Sequence, residues 1–205
     1  MSRFSQTFRL SRAALIVGFY GAVTACSTLW SLAQQRRSPV LSQLRIPLVH
    51  LIAHSVGSVL LGAAVGLFFV MLTRMLQERY ASVRFLHKQF HQLLASLRSY
   101  EIGLLAFCSA VGEETLFRGA LFDFVASKSS GNLGSYLAVL VSSALFTLLH
   151  IGPHKRFLSW TASSFVVGIL LALLRIFTSD LLAPIVAHFV LNMLNLRDIV
   201  QRRQP

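Results

Sequence analysis

Cys108-Ser-Ala-Val-Gly-Glu-Glu-Thr-Leu-Phe-Arg-Gly-Ala-Leu-Phe122 places Glu113, Glu114 and Arg118 inside an apolar run that extends over residues 102–125. The chain holds only seven acidic residues in 205, and two of them are neighbours here. An ionisable group at the centre of a bilayer costs about 2.5–3.5 kcal/mol even on the milder insertion scale. A run that keeps Glu113, Glu114 and Arg118 well inside it reads as a membrane span whose polar residues are used.

Working outward, further apolar runs cover residues 13–33, 46–72, 133–149, 160–177 and 181–196. A bilayer core of about 30 Å takes roughly 17–25 helical residues, so the expectation is an all-α polytopic membrane bundle of about six transmembrane helices. Composition agrees. Charged residues make up 13% and hydrophobic ones 55%, with a mean hydropathy of +0.65, whereas soluble domains carry about 25% charged residues. The net charge of +12 would suggest nucleic acid in a soluble chain. Here most basic residues fall in the segments that share a side with the two termini, with Arg36 and Arg37 on the other side. That bias places both termini in the cytoplasm, expected for a bacterial inner (cell) membrane. The charge then reads as topology and contact with anionic membrane lipids, with no nucleic-acid partner.

Two parts are expected: residues 1–99, with two spans and a connector, and residues 100–205, with the polar intramembrane residues. The connector, residues 78–100, sets Val83, Leu86, Phe90, Leu93, Leu94 and Leu97 at helical spacing between basic residues. It reads as an amphipathic helix in the membrane interface, with His87 and His91 toward headgroups. Residues 34–45 form a linker. Gly62-Ala-Ala-Val-Gly66 has the small-xxx-small spacing of close helix packing. His50 and His54 stand four apart with no carboxylate nearby in sequence, so they read as interfacial histidines rather than metal ligands. Cys26 and Cys108 lack any metal-type spacing and read as small buried residues. The first run is about twice the 7–15-residue core of a signal peptide and is taken as a retained helix.

Helix geometry separates the two glutamates. Positions i and i+4 share a face, whereas adjacent residues point about 100° apart. Glu114 and Arg118 can therefore form a buried ion pair. Glu113 has no opposite charge on its own helix, which makes it the better general base. His150 ends the fourth span, and His188 and Asn192 share one face of the sixth; Pro184 lies in that helix's first turn, where a missing N–H costs little. Singly, each has a structural reading: an interfacial histidine, interhelical hydrogen-bonding glue, a structural ion pair. Together on three apolar helices they point to a site. A proton relay or transporter is the weaker functional reading, because no inverted repeat of broken helices is visible.

In order, Glu113-Glu114-x-x-x-Arg118, Phe146-x-x-x-His150 and His188-x-x-x-Asn192 resemble the three motifs of the CPBP family. These are the CAAX prenyl proteases and bacteriocin-processing or immunity proteins, also called Abi. The resemblance covers residues 100–196. It implies an intramembrane endopeptidase acting on a hydrophobic or lipidated peptide substrate, a CAAX-type prenylated tail being one such form. On that mapping Glu113 activates the hydrolytic water with His150, Glu114 and Arg118 support it, and His188 and Asn192 stabilise the oxyanion. It implies a glutamate-dependent enzyme requiring no cofactor. The alternative is a divalent metal such as zinc held by Glu113, His150 and His188, a composition catalytic zinc accepts, although His-Glu-x-x-His is missing. A non-catalytic scaffold or bacteriocin-immunity protein on the same fold is the competing expectation.

Overall fold

The computed structural model describes residues 2–34, 48–129 and 131–201, without the side chains of residues 2–11 and 48–51. Most of the expected linker, and the side chain of His50, lie outside the described residues. No strand occurs among the described residues. The helices are α1 (Ser2–Ala33), α2 (Leu48–Arg79), α3 (Ala81–Leu94), α4 (Ser99–Glu114), α5 (Phe122–Ala126), α6 (Gly131–Leu148), α7 (Leu158–Thr178) and α8 (Leu182–Gln201). A π-helical segment, Thr115–Leu121, joins α4 to α5, and a 3-10 turn, Lys155–Phe157, leads into α7.

Four segments are long and apolar enough to cross a membrane: 12–33, 52–79, 131–148 and 155–178. A fifth appears if α3 and the 99–126 helix, bent by 112° at their junction, are taken together. The expected six is not reached, and the physical reason is informative. Glu113, Glu114 and Arg118 lower the apolarity of the 99–126 helix, and His188, Asn192, Asn195, Arg197 and Asp198 do the same for α8. The residues that make these helices interesting are those that make them poor spans by composition. Leu15, Phe19, Leu60, Phe68 and Met71 are widely exposed on the outer helices, as an integral membrane protein requires of surfaces that meet lipid tails.

α8 is the central strut, packing against α2, α4, α7 and α3. Its contact with α2 is set by the two glycines of the small-residue motif. A Cβ on Gly62 would lie 2.4 Å from the Ala183 carbonyl oxygen, and one on Gly66 would lie 2.7 Å from that of Ala187. Backbone meets backbone here, as the spacing predicts. The start of α8 is fixed by Asp180, which accepts from the backbone N–H groups of Leu182 and Ala183, two of the donors a helix leaves unpaired at its first turn.

The amphipathic segment forms α3 as expected, but its histidines face protein. His91 Nδ1 lies 2.7 Å from the Ile199 carbonyl oxygen, and His87 Nε2 lies 3.8 Å from Asp198. α3 is folded over the end of α8, whose last carbonyls have no intrahelical donors, and His91 satisfies one of them. Phe90 packs against Phe157 and Trp160 on the other side. His54 is likewise not a plain interfacial residue, since its Nε2 is 2.8 Å from Asp180 Oδ2. Cys26 is exposed rather than buried.

Candidate active site

The 99–126 helix brings Glu113 and Glu114 to its π-helical stretch. Arg98 and Glu101 begin that helix, the Glu101 carboxylate accepting from the Arg98 backbone N–H at 2.7 Å. Near its middle the Thr115 hydroxyl donates to the Val111 carbonyl at 2.6 Å. Such side-chain competition for a helical carbonyl accompanies local departures from α geometry, and π-helical turns recur at functional sites.

Glu114 and Arg118 are both fully buried, and Arg118 Nη1 donates to Glu114 Oε1 at 3.0 Å. The guanidinium also donates through Nη2 to the Gly168 carbonyl at 3.0 Å and lies 4.5 Å from the centre of the Phe146 ring. Gly168 admits it: a Cβ there would sit 3.4 Å from Nη2 and 3.2 Å from Ser143 Cβ. α7 thereby anchors the cation from outside the motif helices. The ion-pair expectation holds, with further support for both partners.

α8 runs antiparallel to α4 and lays two polar residues along it. His188, itself buried, places Nδ1 2.8 Å from Glu114 Oε1. With a carboxylate as acceptor, Nδ1 carries the proton, leaving Nε2 to face Glu113 Oε2 at 4.0 Å. One turn along, Asn192 Nδ2 donates to Ser109 Oγ at 3.1 Å. Glu113 is treated differently from Glu114. Its side chain keeps 17% exposure, Oε1 accepts from the Tyr20 hydroxyl at 3.3 Å, and Oε2 is buried with no hydrogen-bond partner.

His150 joins through its ring. Its centroid is 4.5 Å from that of Phe146 and 5.5 Å from that of Trp160, and Phe146 stands edge-on to His188 at 5.9 Å. His150 Nδ1 donates to the Phe146 carbonyl at 2.8 Å, so Nε2 is its available nitrogen. Glu114 thus bonds both Arg118 and His188, and His188 in turn faces Glu113. Asn192 lies one turn away on the same helix pair, and His150 is held one aromatic ring away.

Among the described residues, no three of His, Cys, Asp and Glu are grouped to hold a metal ion. His188 Nδ1 and Glu114 Oε1 are committed to each other, and the buried guanidinium of Arg118 already supplies a positive charge beside them. The side chains as placed do not fit a resident zinc at Glu113, His150 and His188, and no step is routed through one.

Residues 96–194 match the family model of type II CAAX prenyl endopeptidases, Rce1-like. The chain carries an Rce1-like endopeptidase domain. Over those residues it is similar to the CPBP and CAAX protease family, a likeness that implies a protease. No curated protein and no solved structure matches the chain. The Rce1-like match contains all six residues read from the motifs. It leaves out α1 and α2, so Tyr20 on Glu113, like the clamp of Gly62 and Gly66 on α8, comes from outside it. The motif reading missed Tyr20, Ser109, Gly168 and Asp180. Only Asp180 had a sequence signal, an acidic residue just before a helix that opens with Pro184.

Proposed function

We propose that this chain is an intramembrane endopeptidase of glutamic type, in which Glu113 activates water against the peptide bond of a hydrophobic or prenylated CAAX-type tail. The observation that carries the reading is the unequal treatment of the two glutamates. Both leave Oε2 without a partner, but Glu114 is fully buried with Oε1 tied to Arg118 and His188, whereas Glu113 is partly exposed and its Oε1 takes only the Tyr20 hydroxyl. A base needs an oxygen free to take a proton.

In the proposed step, Glu113 Oε2 accepts a proton from water as the water oxygen attacks the carbonyl carbon. The carbonyl electron pair moves to oxygen, and the oxyanion receives hydrogen bonds from Asn192 Nδ2 and from the Nε2–H of a His188 protonated on both ring nitrogens. His150 Nε2 orients the water. Collapse breaks the C–N bond, and the proton held by Glu113 passes to the departing amine. One water is consumed, one carboxylic acid and one amine are released, and Glu113 is regenerated. Glu114 fixes the His188 ring, and Arg118 balances Glu114. This scheme needs no cofactor.

A cavity of about 330 Å³ supports a lipid-like substrate. It lies between α2, α3, α7 and α8, has mostly apolar walls including Leu86 and Phe90, and is bordered by Trp160, which packs on His150. We place both termini in the cytoplasm of a bacterial inner membrane, on the charge bias of the connecting segments.

The test is cleavage, by the purified protein, of prenylated and matched unprenylated peptides, with and without chelator. The reading expects hydrolysis with a preference for the lipidated peptide and no effect of chelator. No cleavage of any peptide would overturn the protease assignment, and chelator-sensitive activity would overturn the metal-free mechanism.

A further inference from the structure

We infer that Tyr20 of the first helix is a positioning residue for Glu113, so that α1 forms part of the catalytic apparatus. The inference rests on Glu113 being the base and adds to that reading a residue outside the family match. Among the described side chains of α1, only Ser27 is buried. The helix therefore has few inward groups, and its polar ones can be followed individually. Thr24 Oγ1 donates to the Tyr20 carbonyl at 2.8 Å and Ser27 Oγ to the Val23 carbonyl at 2.7 Å. Both hydroxyls are satisfied on their own helix. Tyr20 is different: its hydroxyl crosses to α4 and donates to Glu113 Oε1.

The residue preceding that glutamate makes the crossing possible. A Cβ on Gly112 would stand 2.9 Å from Tyr20 Cδ1 and 3.4 Å from the Tyr20 Cβ and carbonyl oxygen. Any larger side chain would push the phenol away from Glu113. Phe19 packs edge-on against the Tyr20 ring at 5.1 Å. A glutamate side chain has three rotatable bonds and loses appreciable freedom when fixed. Tyr20 supplies the hydrogen bond that holds Oε1, which leaves Oε2 directed toward His188 Nε2. A phenol that needed only a partner for itself would also bond a backbone carbonyl. Here it crosses to another helix and bonds a carboxylate whose other oxygen has no hydrogen-bond partner.

The experiment is steady-state hydrolysis by Tyr20→Phe, which keeps the ring against Gly112 and removes only the hydroxyl. A hydrogen bond to a charged group corresponds to about a ten- to a hundredfold effect. That loss is expected in kcat, with KM unchanged, because Tyr20 acts through Glu113 and does not touch substrate. Gly112→Ala, which keeps the hydroxyl but displaces it, is expected to reproduce the kcat loss. Adding Tyr20→Phe to either Gly112→Ala or Glu113→Gln should lower the remaining rate no further. The inference is overturned if Tyr20→Phe has wild-type kcat, if its effect lies in KM, or if it multiplies with that of Gly112→Ala. Full activity of Glu113→Gln alone would instead overturn the base reading, so the two failures are distinguishable.

Discussion

Two carboxylates close to α8 are buried in opposite ways. Asp180 is 2% exposed and fully engaged. Its Oδ1 accepts from Leu182 N at 2.8 Å, Ala183 N at 3.1 Å and Thr178 Oγ1 at 3.3 Å. Its Oδ2 accepts from Ser58 Oγ and faces His54 Nε2 at 2.8 Å. Glu113 has one hydrogen bond, from Tyr20, and one oxygen with none. A buried carboxylate is tolerable when it is paired and hydrogen-bonded, and Asp180 meets that condition with donors from three places in the chain. Glu113 does not. The fold can supply full satisfaction where the purpose is to start a helix, and the sparse support of Glu113, together with its partial exposure, is what the proposed base role rests on.

The comparison breaks first, if it breaks, at Glu113. Glu113→Gln keeps the shape and the bond from Tyr20 but removes the base. General-base catalysis contributes about 10²–10⁴-fold, and a loss of that size in kcat is expected while the melting temperature in detergent stays at or above wild type. A large drop in melting temperature would mean that Glu113 is structural like Asp180. Arg118→Leu comes next. Removing one partner of a buried ion pair leaves the other charge uncompensated, at a cost of about 3–5 kcal/mol. Glu114 would keep only His188, so denaturation in detergent should move by that amount and activity should fall with the folded fraction. A shift below about 1 kcal/mol, the range of exposed pairs, would show that His188 alone suffices and that Arg118 is dispensable to the fold.

How far the sequence could carry this is clearest from particular residues. The Glu114–Arg118 pair was legible because it is local: four residues on one helix fix their separation. The approach of α2 to α8 was legible in part, since Gly62 and Gly66 announce a close contact without naming the partner. The motif helices were found through the cost of placing polar groups in apolar runs. What failed depended on distant neighbours. His54 was assigned no carboxylate because Asp180 is far away in sequence. His87 and His91 were assigned to headgroups because the 112° bend that lays α3 over α8 has no local signature. The count of six is not reproduced by length and composition because the apolarity of α8 is diluted by its own polar residues. Tyr20 looked like any aromatic in an apolar helix, and only its position against Gly112 distinguishes it.

The smallest expected effect concerns the satisfied carboxylate. Asp180→Ala removes the cap of α8, and loss of an N-cap costs about 0.5–2 kcal/mol. The hydroxyl of Thr178 also donates to the Leu174 carbonyl at 2.9 Å, so it retains a partner. Ser58 and His54 lose theirs on Asp180, but His54 is partly exposed and can turn toward solvent. The backbone clamp of Gly62 and Gly66 against Ala183 and Ala187 remains and should keep α8 in register. Stability should therefore decline modestly, while kcat per folded molecule stays near wild type, because His188 and Asn192 keep their partners on α4. Thermal denaturation alongside active-site-normalised rates measures both. If Asp180→Ala instead lowered kcat as strongly as Glu113→Gln at unchanged stability, full hydrogen bonding would no longer identify a structural carboxylate, and the contrast between the two sites would fail.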